Sequence, residues 1–384
     1  MNGAMHVAAT LRSGLFRIGL TFALLGAPVG ASAAVGPVDG RVRLNSIGFT
    51  PDAPKQATVA ASAATFRVLR VTDDAVALEG NLGSDIVTAA NDTNETVRLA
   101  DFTALRTAGE YQLDVPNVGR SAPFTIGTDV WREPLRLATR AFYLWRCGTA
   151  VTGTWNGRTY QHAACHLLDG WLDYVGGGQV RRDGSGGWHD AGDYNKYVVN
   201  AGVSAGLLFK AWEHHRARIG TLALALPESG NNIPDLLNEL RWELDWLLKM
   251  QATDGRVYHK LSELNFTYWG APQLDPNPRY FVPWSTTATA DFVALLALGA
   301  RHFAEFDPVY AARCLGAART SWAALVANPT NVSANQTGFG TGGYTANDGV
   351  HRLWAAAEMW AATGEAEFLQ AFEQRAATMN FTDI

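Results

Sequence analysis

Nowhere does this 384-residue chain reach the ~18 uninterrupted apolar residues that a membrane-spanning helix needs. Cysteine is scarce: Cys147, Cys165 and Cys314 are too few to staple a disulfide scaffold. Charge is sparse too, with 17% charged residues and a net charge of −5. That balance gives no electrostatic reason to expect nucleic acid or an anionic membrane surface as a partner. Internal repeats, low-complexity tracts and a glycine loop of the phosphate-binding kind are absent. So is a G-x-S-x-G elbow, which leaves no sign of a nucleophilic serine of that type.

What is plentiful is aromatic and glycine: 13 Trp, 11 Tyr and 38 Gly. Aromatic platforms in glycine-rich loops suit a neutral, polyhydroxylated ligand, and they equally suit an ordinary large core. The length allows two domains, each with its own core. At the N-terminus, Arg12 and Arg17 precede an apolar run from Ile18 to Val29, and Ala31-Ser32-Ala33 is a small-x-small cleavage site. Residues 1–33 therefore read as an export signal, with the mature protein secreted or periplasmic and no membrane partner beyond that signal.

From 34 to 127 the pattern is β-like. Val42-Arg43-Leu44-Asn45, the run from Phe66 to Val71 and that from Tyr111 to Val115 alternate apolar with polar side chains between turn clusters. This predicts a small antiparallel sandwich with a structural role. From 128 to 384 the period turns helical, with helices expected over 134–147, 198–215, 231–250, 286–303, 308–327, 351–363 and 365–379, and almost no strand between them. Pro234 fits the first turn of its helix, Asp307-Pro308 reads as an N-cap and N1 pair, and Gly364 as a helix stop. The long connections 148–185 and 253–284, rich in Gly, Pro and aromatics, read as a binding surface.

The chemistry concentrates in residues 186–197, Gly-Gly-Trp-His-Asp-Ala-Gly-Asp-Tyr-Asn-Lys-Tyr. Asp190 and Asp193 stand three apart in a shaped loop, among aromatics on which sugar rings could stack. Closely spaced carboxylates raise each other's cost of ionisation unless they share a task such as holding one water. The competing reading is an Asx-turn in which Asp193 caps the following helix. Upstream, Cys147, Cys165, His166 and His189 offer two thiolates and two imidazoles, a donor set for a closed tetrahedral zinc site. A Cys147–Cys165 disulfide, with Cys314 an inert core residue, is the alternative on chemistry alone.

Together these residues resemble a family 9 glycoside hydrolase of the subgroup with an N-terminal immunoglobulin-like domain. The 186–197 segment carries the likeness. So do the Ile233–Glu239 and Asp245–Gln251 segments, Tyr258-His259-Lys260 and the Ser285–Ala290 segment. The resemblance implies a multidomain chain: an all-β sandwich followed by an all-α (α/α)6 barrel, incomplete at Ile384. It implies an inverting enzyme that cleaves β-1,4-linked glucan, with Asp193 as general base and Asp190 helping to hold the water. It favours zinc on Cys147, Cys165, His166 and His189. It also places Trp188, Tyr194, His259 and Lys260 against substrate. Calcium is doubtful, because Val350-His351 stands where many relatives carry Asp-Glu. The family's acid is a late Glu expected beyond Ile384, so the chain alone is expected to hydrolyse glycosides poorly. The rival expectations are an exo-acting glucosaminidase on amino-sugar oligomers and a non-catalytic carbohydrate-binding relative.

Overall fold

A computed structural model describes residues 37–89, 93–172 and 180–379; the export signal expected over 1–33 lies outside them. The chain divides into two compact units, one up to Thr128 and one from Asp129 onward.

Among the described residues, the first unit is built from nine short strands. They are β1 (Val42–Arg43), β2 (Gln56–Val59), β3 (Thr65–Arg70), β4 (Val76–Asn81), β5 (Ile86–Val87), β6 (Thr96–Asp101), β7 (Gly109–Val115), β8 (Gly119–Arg120) and β9 (Phe124–Ile126). They form two antiparallel sheets, ordered β1-β2-β6-β5 and β4-β3-β7-β8, with β9 also on β7. Alternation sends Phe66 and Val68 of β3, and Tyr111, Leu113 and Val115 of β7, into one apolar cluster with Val59 and Ala100 of the other sheet. The Tyr111 hydroxyl reaches back 3.1 Å to the Thr107 carbonyl, a corner tie familiar from immunoglobulin-like sandwiches.

The second unit is mainly helical: α1 (Arg132–Leu144), α2 (Val198–Ile219), α3 (Asp235–Met250), α4 (Thr286–Phe303), α5 (Pro308–Ala327), α6 (Gly349–Thr363) and α7 (Ala366–Ala376). Helix α4 is the hub. Every residue from Thr286 to Ala300 is buried, and the helix packs against α2, α3, α5 and α6. Small side chains such as Ala288, Ala290, Ala294, Ala297 and Gly299 let its neighbours approach on all sides. The Asp307 carboxylate caps α5 by accepting from Tyr310 N–H at 3.0 Å, and Gly364 ends α6 in the left-handed region at φ 71°.

Three expectations need correction. Helix α1 stops at Leu144, so Cys147 stands clear of it, its N–H donating 2.8 Å to the Gly187 carbonyl. Helix α3 begins at Asp235, leaving Pro234 just ahead of the first turn, while Asn232 turns the chain at φ 68°. The third concerns the long connections, which are not strand-free. They hold the hairpin β10 (Val151–Trp155) and β11 (Arg158–His162). They also supply β13 (Tyr258–Ser262) and β14 (Tyr280–Trp284), which join β12 (Lys196–Tyr197) in one antiparallel sheet. Sheet β12-β13-β14 ties the end of the 186–197 segment to the second long connection.

Candidate active site

Asp193 does not cap α2. Tyr197 occupies that position and no side chain caps the helix. Instead the Asp193 carboxylate is held from one side. Its Oδ2 accepts from the Asn195 amide and from the Tyr197 hydroxyl, each at 3.0 Å. Its Oδ1 is buried and has no hydrogen-bond partner. Asn195 is itself fixed, its carbonyl oxygen accepting from Glu263 N–H at 2.9 Å. A carboxylate with one oxygen anchored and the other kept free of protein donors is arranged to take a proton from something that enters.

Asp190 is exposed beside it. The Asn200 amide, in the first turn of α2, donates to Oδ1 at 2.7 Å, and the Tyr344 hydroxyl lies 3.4 Å from Oδ2. Burial of part of its carboxyl pushes the Asp190 pKa up, with the charge of Asp193 adding to the shift. The Tyr344 ring meets Tyr197 edge to face at 4.8 Å, so a single aromatic pair connects the two carboxylates.

Of the four side chains expected against substrate, three are turned to other work. Trp188 is 6% exposed, packs on Phe142 at 4.7 Å and donates its ring N–H to Glu239. It contributes to the wall of a 270 Å³ cavity between α1 and α2 that also borders Asp190, Trp145 and Glu243. His259 is buried between the Ser285 hydroxyl at 2.9 Å and the Gly343 carbonyl at 2.8 Å. Lys260, also buried, donates to Thr341 and to the Gly342 carbonyl. Burial lowers the Lys260 pKa to about 8, although the charge of Asp193 pulls it back up. His259 and Lys260 therefore clamp the backbone of 341–343, the loop that carries Tyr344. Tyr194 is half-buried at φ 57°, its hydroxyl donating to the Gly270 carbonyl.

The side chains that do face solvent near the carboxylates are ones the sequence reading passed over. Trp269 is 72% exposed, and a methyl group built on Gly192 would come 4.0 Å from its ring. Trp145 and Tyr344 are exposed as well. The signal available for Trp269 was its place in Asn-Phe-Thr-Tyr-Trp-Gly, an aromatic-rich tract of the second long connection.

Behind the loop lie Cys147, Cys165, His166 and His189, with all four donor atoms within 4.8 Å of one another. The cysteines are free, not bridged. Cys147 Sγ is 3.7 Å from His166 Nδ1, and Cys165 Sγ is 3.5 Å from His189 Nε2. Tetrahedral zinc bonds of about 2.0–2.3 Å set neighbouring donors roughly 3.3–3.8 Å apart, so the residues present fit that ion. The other nitrogen of His166 is 3.2 Å from Asp275 Oδ2, the carboxylate support that orients a ligating imidazole. A divalent ion would offset two thiolates, and the buried cations beside it have carboxylate partners, Lys196 facing Asp169 and Arg279 facing Asp169 and Asp275. At the place considered doubtful for calcium, His351 Nδ1 lies 2.7 Å from Asp291 Oδ1.

The chain is similar to known proteins over most of its length. The family model described as glycosyl hydrolase family 9 matches residues 131–383, and that described as the cellulase N-terminal ig-like domain matches 38–120. Endoglucanase D of Acetivibrio thermocellus is 49% identical over 342 residues, 88% of this chain and 54% of that protein. The crystal structure of a metagenome-derived glycoside hydrolase family 9 endoglucanase superposes with a TM-score of 0.78 at 36% identity, covering 88% of this chain and 64% of that one. A structure described as a Zn-binding triple mutant of the family 9 endoglucanase J30 has a TM-score of 0.78 at 35% identity, covering 85% of this chain and 62% of that one. The chain thus spans about half the length of the first curated relative it matches.

Proposed function

The chain belongs to glycosyl hydrolase family 9, and from that membership we propose that it acts in the hydrolysis of β-1,4-glucosidic bonds of cellulose or cello-oligosaccharides. The observation that carries the proposal is the carboxylate pair. Asp193, with one buried oxygen left free of protein donors, is the general base, and exposed Asp190 helps to hold the water it deprotonates. In an inverting reaction the base and the acid lie roughly 6.5–9.5 Å apart to leave room for that water. Asp190 and Asp193 both belong to the water side, and the acid is not assigned to any described residue.

Trp269, Tyr344 and Trp145 offer exposed aromatic surface for glucosyl rings near the pair. Zinc on Cys147, Cys165, His166 and His189 is structural: a closed four-ligand site with no open position, fixing the backbone beside Asp190. The helices of the second unit are the beginning of an (α/α)6 barrel, a reading supported by α4, which is buried on all sides, and by the family match. The N-terminal run of residues 1–33 supports export, and no helix among the described residues is long and apolar enough to cross a membrane.

The test is a panel of cello-oligosaccharides and chito-oligosaccharides offered to the purified protein, with binding and cleavage followed separately. Binding of the glucan series but not the amino-sugar series is expected. Preference for the amino-sugar series would replace the proposal with a glucosaminidase. Glucan binding by a parent chain that leaves even 2,4-dinitrophenyl β-cellobioside uncleaved, a substrate whose leaving group needs no acid, would point to a carbohydrate-binding protein.

A further inference from the structure

Lys196 lies three residues after Asp193 and its side chain is fully buried. Its backbone is fixed in β12, opposite Leu261 of β13. From there the ammonium reaches the far side of the loop. It donates to the Gly184 carbonyl at 2.6 Å, to the Gly186 carbonyl at 2.9 Å and to Cys147 Sγ at 3.5 Å, with Asp169 Oδ2 also at 3.5 Å. An ammonium has three protons to give, and here they meet two carbonyls of the segment leading into the carboxylate pair and one donor atom of the metal centre. Arg279, the neighbouring buried cation, touches the same Asp169 and donates to the Tyr194 carbonyl, so the loop is gripped from both ends of 184–194.

We propose that Lys196 is a positioning residue that couples occupancy of the metal centre to the shape of the loop carrying Asp190 and Asp193. The coupling rests on the zinc reading above. A sulfur held by metal and by the Cys147 backbone has one location, and the ammonium that donates to it is oriented by it. A sulfur released from metal turns about its Cα–Cβ bond, and the ammonium loses a fixed acceptor. The carbonyls of Gly184 and Gly186 then share a cation that is no longer aimed. Gly186 and Gly187, at φ 95° and 73°, carry no Cβ to restrict their backbone, so the hold on the neighbouring carbonyls helps to set the path of this segment. Loss of aim at Lys196 therefore reaches Asp190 through the backbone rather than through a side-chain contact.

The experiment is hydrogen exchange of peptides covering residues 182–188 in the full chain, zinc-loaded and after chelation, for the parent, Lys196→Met and Lys196→Gln. In the parent, chelation should speed exchange of this segment by roughly tenfold or more, with strand β7 of the sandwich unaffected as an internal control. Zinc-loaded Lys196→Met should already exchange as fast as the chelated parent, and chelation should add little. A variant that merely weakened the fold would instead show the two effects adding. Lys196→Gln, which keeps a neutral donor, should fall between, and it serves as the test variant if Lys196→Met does not fold. Protection in zinc-loaded Lys196→Met equal to the parent, or a chelation effect of the same size in both, overturns the coupling. A parent chain that carries zinc but shows no change on chelation overturns the coupling alone. One that binds no zinc overturns the metal reading and the coupling with it.

Discussion

Glu263 shows how much the surroundings of one side chain can decide. Its backbone N–H orients Asn195, while its own carboxyl is buried, with Oε2 accepting from Asn277 and Oε1 unpaired. Burial, with the charges of Asp275 and Asp193 adding, pushes its pKa up from 4.5 to about 7. The folded chain thus keeps a proton that the unfolded chain has already released. Stability from this group is present at low pH and lost as pH rises from about 4.5 to 7. Glu263→Gln should remove that slope. Urea denaturation should find the variant close to the parent at pH 4 and more stable than it at pH 8, and an equal difference at both would contradict the assignment. His259 and Lys260 carry a related lesson. Their residue types suit sugar contacts, but their neighbours turn them into clamps for the 341–343 backbone.

At the scale of elements, the helices with clear punctuation could be read from sequence. Ser285 before α4 and Asp307-Pro308 before α5 mark their starts, and both helices have the expected bounds. The β10–β11 hairpin was legible too and was missed. Asn156-Gly157 between two strands is the signature of a two-residue turn, with φ 47° and 72° here. What could not be read were contacts set by distant chain. Nothing local to Trp188 announces that Glu239 and Glu243 bind its ring and backbone N–H groups, and nothing near Tyr344 announces Asp190. The four metal donors were readable because their chemistry is rare, although the stop of α1 before Cys147 was not.

Two substitutions test elements. Asp307→Ala removes the α5 cap and should cost about 1 kcal/mol in thermal or chemical denaturation. Gly187→Ala should cost more. The residue sits at φ 73°, and a methyl there would lie 2.7 Å from the Trp246 ring. Strain and overpacking together predict a loss of about 2–4 kcal/mol, and a loss under about 0.5 kcal/mol would mean the loop has room that the packing denies.

For the whole molecule, the two units have separate cores, so the metal belongs to the stability of only one of them. Chelation should lower the unfolding temperature of the helical unit and leave that of the sandwich unchanged, as two resolved calorimetric transitions would record. A shift in both, or in neither, would contradict a structural zinc confined to the second unit.

If Asp193 activates water on one face of a β-glucosyl ring, as we propose, an activated substrate should show it directly. The most direct measurement uses 2,4-dinitrophenyl β-cellobioside, whose leaving group departs without a proton, so the outcome does not depend on where the acid lies. Release of dinitrophenol with α-cellobiose as the first anomer seen by proton NMR is expected, slowed about 10²–10⁴-fold by Asp193→Asn with substrate binding retained. First appearance of the β-anomer, or turnover in Asp193→Asn equal to the parent, would contradict it.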